Sequence, residues 1–414
     1  MKKEAFSVIF VLMILIGMSG YFTDITFGET FNKSSFVKEF DKAVEDGYLR
    51  VHEDAMNITK SIRISRDAIG GLFNNILFSN ECISLNGLFQ KAIGRRVIID
   101  AVPSNDVVRL NNGMLSFVNP KFDDIKTSSS KVINFNNRLK AKGIDMVYVQ
   151  APFKIISDDM LPAGVPDYTN ENADKFLAAI EERGVKTFDL RDEFLKDDTV
   201  SSKFVFFLTD HHWRAEGGLW GFTKVGAFLN ENYDFGIDPE VLEMENYYFE
   251  TKEKWFLGSQ GKRVGIYFGG IDDFTLITPK ARTKFRFEMV YEEVSREGNF
   301  PEAMFAGWHV EDKEYFANNP YAMYTGGNYG YSIIKNQGNP DGKKIFLIRD
   351  SFSCVFSPFL GLGCSEVQMV DLRYFKDDLL ETIEKAEPDL VMFMYNADMY
   401  NDGTIDTMFN FYNN

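Results

Sequence analysis

The sequence predicts an α/β protein in which helices flank a parallel sheet. From about residue 106 onward, short apolar runs typical of buried strands alternate with longer runs at helical spacing. This alternation implies a parallel sheet with right-handed crossovers. Of the 414 residues, 45% are hydrophobic and 15% are aromatic, which is enough apolar material for a large core.

The expected elements follow one another in the order that a parallel sheet requires. Each strand is a short apolar run, and each helix carries its apolar residues on one face. The first of these helices is expected to have Asn170 as its N-cap and to end at Gly184. Strands are expected at residues 144–150, 185–190, 203–208, 344–348, 365–372 and 389–400, and helices at 170–184, 215–231, 352–362 and 375–388.

The pattern changes between about residues 240 and 330. Aromatic and polar residues alternate there, and turn signals occur at Gly258–Gly261 and Gly269–Asp273. A period of two is typical of antiparallel strands. We therefore expect a β-rich insertion at about 240–330, inside a main domain that spans 106–414, and this insertion could form one wall of a cleft.

The N-terminus has the pattern of a membrane-targeting segment. Lys2 and Lys3 precede an apolar run from about Ala5 to Phe22, a length between that of a signal peptide and that of a full membrane span. We expect a signal anchor over 1–23, with a cleaved signal peptide as the second possibility and a buried core helix as the third. The lysines would stay in the cytoplasm, so the rest of the chain would lie outside it. Residues 24–105 are expected to form a helical stalk.

Charge and cysteine content exclude several classes of function. The formal net charge of −16 disfavours binding to nucleic acid or to an acidic membrane surface. The three cysteines, Cys82, Cys354 and Cys364, include no C-x-x-C pair, which argues against a structural zinc site. The sequence thus predicts neither a cofactor nor a structural metal.

Reactive side chains follow three of the expected strands. They are Asp210-His211-His212, then Asp350-Ser351, then Asn396. In an open α/β sheet such groups gather at the carboxyl ends of the strands. A serine needs an imidazole as base, and that imidazole needs a carboxylate to orient it.

Spacing assigns a role to each of these groups. Residues two apart in an extended turn point to the same side, which favours Asp210 and His212 as partners and turns His211 away. Ser351 would be the nucleophile, at a helix N-terminus suited to an oxyanion. Asn396 could donate a further hydrogen bond to that oxyanion.

Each group also has a simpler interpretation. Asp350 and Ser351 are favoured helix caps, and Asn396 could cap the segment after it. The Asp210-His211-His212 run could be a solvated turn or half of a metal site, but His52 and His309 are the only other histidines. The joint placement at strand ends favours catalysis over these alternatives.

At these residues the chain resembles the SGNH-hydrolase-like acetyltransferases of bacterial exopolysaccharide export. The alginate O-acetylation proteins are similar, and a family named after the letters DHHW is more similar still; the resemblance spans about residues 106–400. The motif "TDHHWRAEGG" carries it through Asp210, His212, Trp213 and Gly217, and "IFLIRDSFS" carries it through Asp350, Ser351 and Phe352. Weaker matches are Pro152, Lys154, Leu161 and Pro162, and the segment "VVRLNNGMLSFV" resembles the family's entry motif with Met114 in place of its aromatic residue.

The resemblance implies a circularly permuted SGNH fold, in which the Asp-x-His pair precedes the serine. Carried over by position, it assigns Ser351 as nucleophile, His212 as base and Asp210 as the orienting acid. The weaker candidates for oxyanion or substrate contacts are Asn396, Asp350, His211, Trp213 and Lys154. The chain departs from the family pattern in two places. Arg349 replaces the glycine before Asp350-Ser351 and could crowd the turn that carries Ser351 or add charge to it. Asn396 matches by its position in the final strand alone.

The expected function is serine-dependent O-acetyl transfer, or O-acetyl ester hydrolysis, on a cell-surface or exported polysaccharide. The resemblance suggests a membrane-bound acyltransferase as the acetyl donor. Two alternatives come from other classes. One is a non-catalytic glycan-binding or polysaccharide-assembly module, and the other is a metal hydrolase centred on His211 and His212.

Overall fold

The computed structural model describes residues 79–100, 105–401 and 405–411. The expected anchor at 1–23 and most of the expected stalk lie outside these residues. None of the helices in the described ranges combines the length and the apolar character needed to cross a bilayer. The chain divides into two compact units: one contains the residues up to Val107 together with Arg263–Phe268, and the other contains Val108–Lys262 and Gly269–Asn414.

The described residues contain thirteen strands. They are β1 Val97–Ile98, β2 Val107–Arg109, β3 Leu115–Ser116, β4 Met146–Ala151, β5 Lys186–Asp189, β6 Tyr247–Phe256, β7 Asp272–Pro279, β8 Phe285–Met289, β9 Val294–Gly298, β10 Tyr331–Asn336, β11 Lys344–Arg349, β12 Glu366–Val370 and β13 Leu390–Asn396. The α-helices are α1 Ser79–Ala92, α2 Ile125–Lys140, α3 Thr169–Glu181, α4 Leu190–Lys196, α5 Ser202–Val205, α6 Ala215–Tyr233, α7 Ser259–Val264, α8 Ile266–Gly269, α9 Phe300–Met304, α10 Ser353–Gly363, α11 Leu379–Ala386 and α12 Ile405–Met408. Short 3₁₀ turns lie at Asp158–Met160, Pro239–Leu242, Met244–Asn246, Gly307–Val310, Pro320–Met323 and Ala397–Met399.

The larger unit is built around one eight-stranded sheet. Its strand order is β5-β4-β13-β11-β12-β10-β8-β9. The first five strands are parallel, and β10, β8 and β9 continue the sheet in antiparallel fashion. Every residue of β4 and β13 is buried, which is typical of central parallel strands covered on both faces. The predicted α/β fold with a large sheet and flanking helices is therefore confirmed.

The sheet register brings the ends of two strands together. Ile348 of β11 pairs with Val370 of β12, and Arg349 pairs with Met394 of β13. The segment after β11 thus begins beside the polar end of β13. This edge of the sheet carries the functional residues described below.

One expected strand, at 203–208, is wrong. Ser202–Val205 form the short helix α5, whose N-cap Ser201 accepts a hydrogen bond from the Phe204 amide. Phe206 then forms a single β-bridge with Trp213. A short apolar run fits a buried strand or a buried helix equally well, so periodicity alone could not distinguish them.

The expected N-cap of the helix at 170–184, Asn170, is also wrong. Helix α3 begins at Thr169 with Tyr168 in the capping position. The side-chain Nδ2 of Asn170 instead donates to the carbonyl of Ile155, at 2.7 Å. A tertiary contact of this kind competes with local capping and leaves no local sequence signal.

The insertion at about 240–330 is only partly β-structured. Strands β6 and β7 form an antiparallel pair, and β8 and β9 extend the main sheet. The expected turn at Gly258–Gly261 falls in part within α7, and beyond residue 298 the chain forms short helical turns up to β10. The interleaved aromatic residues of that last part therefore fill a core without forming strands.

Candidate active site

Asp210, His212 and Ser351 lie in one chain of hydrogen bonds. Nδ1 of His212 is 2.6 Å from Oδ1 of Asp210, and Nε2 of His212 is 2.7 Å from Oγ of Ser351. Asp210 and His212 are buried, whereas Ser351 is half-buried. This is the geometry that a base needs to remove the proton of a serine hydroxyl.

The turn that carries Asp210 is fixed by backbone contacts. The carboxylate of Asp272 accepts from the amides of Leu208, at 2.5 Å, and Thr209, at 2.8 Å. The amide of Ser259 donates to Oδ2 of Asp210 at 2.6 Å. A Cβ at Gly258 would collide with the backbone and the Cβ of Asp210, so this close approach requires glycine.

The "WRAEGG" part of the motif joins this turn to the turn that carries Ser351. Nε1 of Trp213 donates to the carbonyl of Phe352 at 2.8 Å. A side chain at Gly217 would meet the carbonyl of Val205, and one at Gly218 would meet Val355 of α10. The predicted substrate contact of Trp213 is wrong, because its ring is fully buried and serves to hold the two turns together.

Asp350 shapes the nucleophile turn from within. Its Oδ1 accepts from the amide of Phe352 at 2.9 Å, and its Oδ2 accepts from the amide of Asn396 at 2.6 Å. Burial raises the pKa of Asp350 to about 6, although these two amides oppose the rise. Asp350 is therefore a structural acid and not a substrate contact, since it is only 2% exposed.

Asn396 caps the turn after β13, as one of the two interpretations held. Its Oδ1 accepts from the amide of Asp398 at 3.2 Å. Its Nδ2 makes no hydrogen bond within the described part of the chain. The amide of Asn396 binds the carboxylate of Asp350, the residue before Ser351, so the end of β13 lies beside the turn that carries the serine.

Arg349 does not crowd the nucleophile. Its guanidinium donates to Oδ1 of Asn328 at 2.5 Å and lies 3.7 Å from the carboxylate of Asp371. Asp371 also binds Arg373 through two hydrogen bonds, at 2.9 and 2.6 Å. The charge that departs from the family pattern is thus balanced by the buried carboxylate of Asp371, and among the described residues it makes no hydrogen bond to Ser351.

Lys154 is not a substrate contact, contrary to the expectation. Its side chain is fully buried, and Nζ donates to the carbonyls of Leu115, at 2.7 Å, and of Asp210. Burial lowers the pKa of Lys154 to about 8, although Asp272 and Asp210 oppose this. Lys154 therefore positions the backbone of the turn that carries the acid.

His211 is not turned away from the site. Its ring lies against that of His212, with the centroids 3.7 Å apart and the planes tilted by 38°, and its Nδ1 lies 2.9 Å from Oγ of Ser259. Burial and the neighbouring imidazole lower the pKa of His211 to about 3. The rule of alternating sides fails because residues 209–212 form a bent turn and not a strand.

Tyr321 is a site residue that the sequence did not reveal. Its ring stacks on His212 at 3.9 Å, and its hydroxyl lies 2.9 Å from the carbonyl of Ser351 and 3.1 Å from that of Phe352. It comes from a 3₁₀ turn far along the chain, Pro320–Met323. Only the tertiary structure brings it to the base.

The electrostatics of the acid favour its ionised form. Burial alone would raise the pKa of Asp210, but the imidazoles of His211 and His212 and the amide of Ser259 hold it well below its usual value. An ionised carboxylate can stabilise an imidazolium on His212 during catalysis. The side chain of Asp210 is thus suited to the orienting role.

The metal interpretation also has a geometric basis. Asp210, His211 and His212 offer ligand atoms that lie within 4.8 Å of one another. His309 is not part of this group, and His52 lies outside the described residues. The Nδ1 of His212 and the Oδ1 of Asp210 already bind each other, and a cation there would have to break the chain that leads to Ser351.

Asp210, His212 and Ser351 thus form one hydrogen-bonded chain in an α/β fold, an arrangement that serine hydrolases use. Residues 115–255 match the family model of the SGNH hydrolase-like domain, acetyltransferase AlgX. The resemblance of the motifs to the SGNH-like acetyltransferase or esterase enzymes is therefore confirmed. The matched range contains the Asp210–Trp213 motif and ends before Ser351.

Solved structures support the fold. Bacillus cereus PatB1, solved with a sulfonyl adduct, is 18% identical with a TM-score of 0.60, and the match covers 77% of this chain and 99% of that one. A DHHW family protein from Eubacterium siraeum is also 18% identical, with a TM-score of 0.58 and coverage of 75% and 96%. No curated protein sequence matches this chain.

Proposed function

We propose that this protein transfers or removes O-acetyl groups on a polysaccharide through an acetyl-serine intermediate. The observation that carries the proposal is the position of His212, which bridges the carboxylate of Asp210 and the hydroxyl of Ser351. The match to an acetyltransferase domain supports the acyl chemistry and a polysaccharide substrate. The order of the motifs, with Asp210 ahead of Ser351, is consistent with a circularly permuted SGNH arrangement.

In the first half-reaction, Oγ of Ser351 attacks the acetyl carbonyl carbon while its proton passes to Nε2 of His212. Asp210 holds the other side of the ring and stabilises the imidazolium. The oxyanion would be met by Nδ2 of Asn396 and by the amide of Ser351, neither of which makes a hydrogen bond within the described part of the chain. The donor alkoxide then leaves with the proton from His212, and acetyl-Ser351 remains.

In the second half-reaction, a hydroxyl group gives its proton to His212 and attacks the acetyl carbon. Ser351 recovers its proton from the imidazolium when the tetrahedral intermediate collapses. A sugar hydroxyl as the attacking group makes the protein a transferase, and water makes it an esterase. The same residues serve both outcomes, and the contacts of the acceptor decide between them.

The location and the acetyl donor are also part of the proposal. The Lys2-Lys3 pair and the apolar run after it support an N-terminal anchor with the main domain outside the cytoplasm. Acetyl groups would then have to cross the membrane to reach Ser351, and a membrane-bound acyltransferase could supply them. A glycan at the cell surface or in export would be the acceptor.

The test uses the purified chain and an activated acetyl ester such as 4-nitrophenyl acetate. Ser351→Ala should abolish turnover above the solution rate. Ser353→Ala is a matched control, because the Ser353 hydroxyl is buried without a hydrogen-bond partner and should be dispensable. Turnover by Ser351→Ala at the wild-type rate would refute the assignment of Ser351 as nucleophile. If a serine-directed probe fails to label the wild type while the protein still binds glycan, a non-catalytic glycan-binding module would be favoured.

A further inference from the structure

The two imidazoles of the motif lie beside one carboxylate oxygen. Both Nδ1 atoms face the same oxygen, since Oδ1 of Asp210 lies 2.6 Å from that of His212 and 3.6 Å from that of His211. The Nε2 of an imidazole lies across the ring from its Nδ1. Nε2 of His212 reaches Oγ of Ser351, and the ring of His211 lies against that of His212 at an angle of 38°, so we expect Nε2 of His211 on the side of Ser351 as well.

His211 is also the more accessible ring of the pair. Its side chain is 29% exposed, whereas that of His212 is 10% exposed. Its Nε2 makes no hydrogen bond to any of the described residues. The proposed mechanism gives His211 no task, although it stands beside the base.

Ser259 fixes the orientation of this ring. Its amide is committed to Asp210, and its hydroxyl lies 2.9 Å from Nδ1 of His211. When that hydroxyl donates to Nδ1, the single proton of the neutral ring resides on Nε2. The low pKa of His211, caused mainly by burial, is consistent with a ring that stays neutral and offers one N–H donor.

We propose that His211 binds the acceptor through the hydroxyl adjacent to the one that is acetylated, so that the acceptor is a sugar with a vicinal diol. The reacting hydroxyl gives its proton to Nε2 of His212, and its neighbour accepts a hydrogen bond from Nε2 of His211. Adjacent hydroxyl oxygens on a sugar ring lie about one hydrogen-bond length apart, and two imidazoles with their centroids 3.7 Å apart are close enough for each to bind one of them. Water carries no second hydroxyl, so this contact favours transfer over hydrolysis.

This inference rests on the proposed acetyl-serine intermediate, and partitioning of that intermediate tests it. The wild-type chain is acetylated with 4-nitrophenyl acetate in the presence of trans-1,2-cyclohexanediol or of cyclohexanol. The ratio of acetyl transfer to hydrolysis, corrected for the number of hydroxyls, should favour the diol about three- to tenfold, as expected for one neutral hydrogen bond. Since both products come from one intermediate, the ratio does not depend on the acylation rate.

Variants assign the preference to His211. His211→Ala should bring the diol and the mono-alcohol to equal ratios, and His211→Gln, whose amide can still donate, should keep part of the preference. Ser259→Ala, which retains the backbone contact to Asp210, should reduce the preference by freeing the ring tautomer.

Each outcome decides the matter. A wild type without preference for the diol, or without transfer to either alcohol, would overturn the role of His211 and leave the serine chemistry standing. A preference for the diol that persists in His211→Ala would also overturn the role of His211 and leave the serine chemistry standing. Absence of any acetyl-enzyme would overturn the proposed function and this role together.

Discussion

Replacement of Lys154 by methionine tests how the acid-bearing turn is held. Met is close in shape to Lys but carries no charge and no donor. In the wild type, Nζ of Lys154 binds the carbonyls of Leu115 and Asp210 inside a fully buried site. The variant leaves these carbonyls without that donor, at a cost of about 1–3 kcal/mol, and removes the burial penalty of the ammonium.

The pH dependence gives the prediction its magnitude. Burial lowers the pKa of Lys154 from 10.5 to about 8, while the unfolded chain keeps the ordinary value. Between these two pH values the unfolded state holds more protons, so the stability of the wild type rises with pH. The rise corresponds to about 3 kcal/mol in total. Lys154→Met cannot show this rise.

The assay is urea unfolding of both chains at several pH values from 7 to 10. The free energy of unfolding of the wild type minus that of Lys154→Met should be constant up to about pH 8 and should then increase with pH. Lys196→Met, which removes an exposed lysine, controls for the loss of a lysine as such. A difference that stays flat from pH 7 to 10 would refute the account of Lys154 as a buried, charged anchor.

Three further predictions concern the residues around Asp210, His212 and Ser351. Tyr321→Phe should cost about 1 kcal/mol of stability and keep most esterase activity, because the carbonyls that Tyr321 binds retain other donors at 3.2 and 2.8 Å. Tyr321→Ala also removes the ring that stacks on His212, so this variant should lose most of the esterase activity. Equal losses of activity in the two variants would contradict this prediction. Gly258→Ala should lower the free energy of unfolding by about 1–3 kcal/mol and reduce esterase activity. Gly307→Ala is the control, because a Cβ there meets nothing within 4 Å, and it should change neither the unfolding free energy nor the activity. The pKa of Asp350 is raised from 3.8 to about 6, so the folded state keeps this proton to a higher pH than the unfolded state does. The free energy of unfolding of the wild type should therefore fall by about 3 kcal/mol as the pH rises from 4 to 6. Asp350→Asn, measured by unfolding over the same range, should lack this fall.

The sequence predicted the parallel part of the sheet and the three segments that meet at its edge. Continuous apolar runs in β4, β11 and β13 have few other interpretations when helices separate them. The strand expected at 203–208 was wrong because a short apolar run carries no period. Ser351 and Asn396 therefore lie at the carboxyl ends of strands, as expected. Asp210 lies on a turn and does not follow a strand of the sheet.

The parts that could not be predicted depend on contacts distant in sequence. Tyr321 reaches His212 from more than 100 residues away, and no local pattern distinguishes it from other buried tyrosines. The partner of Arg349, Asp371, follows a neighbouring strand, so the charge balance becomes visible only with the strand order. Lys154 matched a motif position that suggested substrate, yet its environment makes it structural.

The most direct test of the central claim is to locate the acyl group. The wild type is mixed with 4-nitrophenyl acetate, quenched in acid within the first turnover, digested and analysed by mass spectrometry. We predict one acetyl group on the peptide that contains Ser351, located to Ser351 by fragmentation, and its absence from His212→Ala treated in the same way. Turnover by the wild type without acetyl on Ser351, or acetyl on another residue that disappears as product forms, would contradict the account.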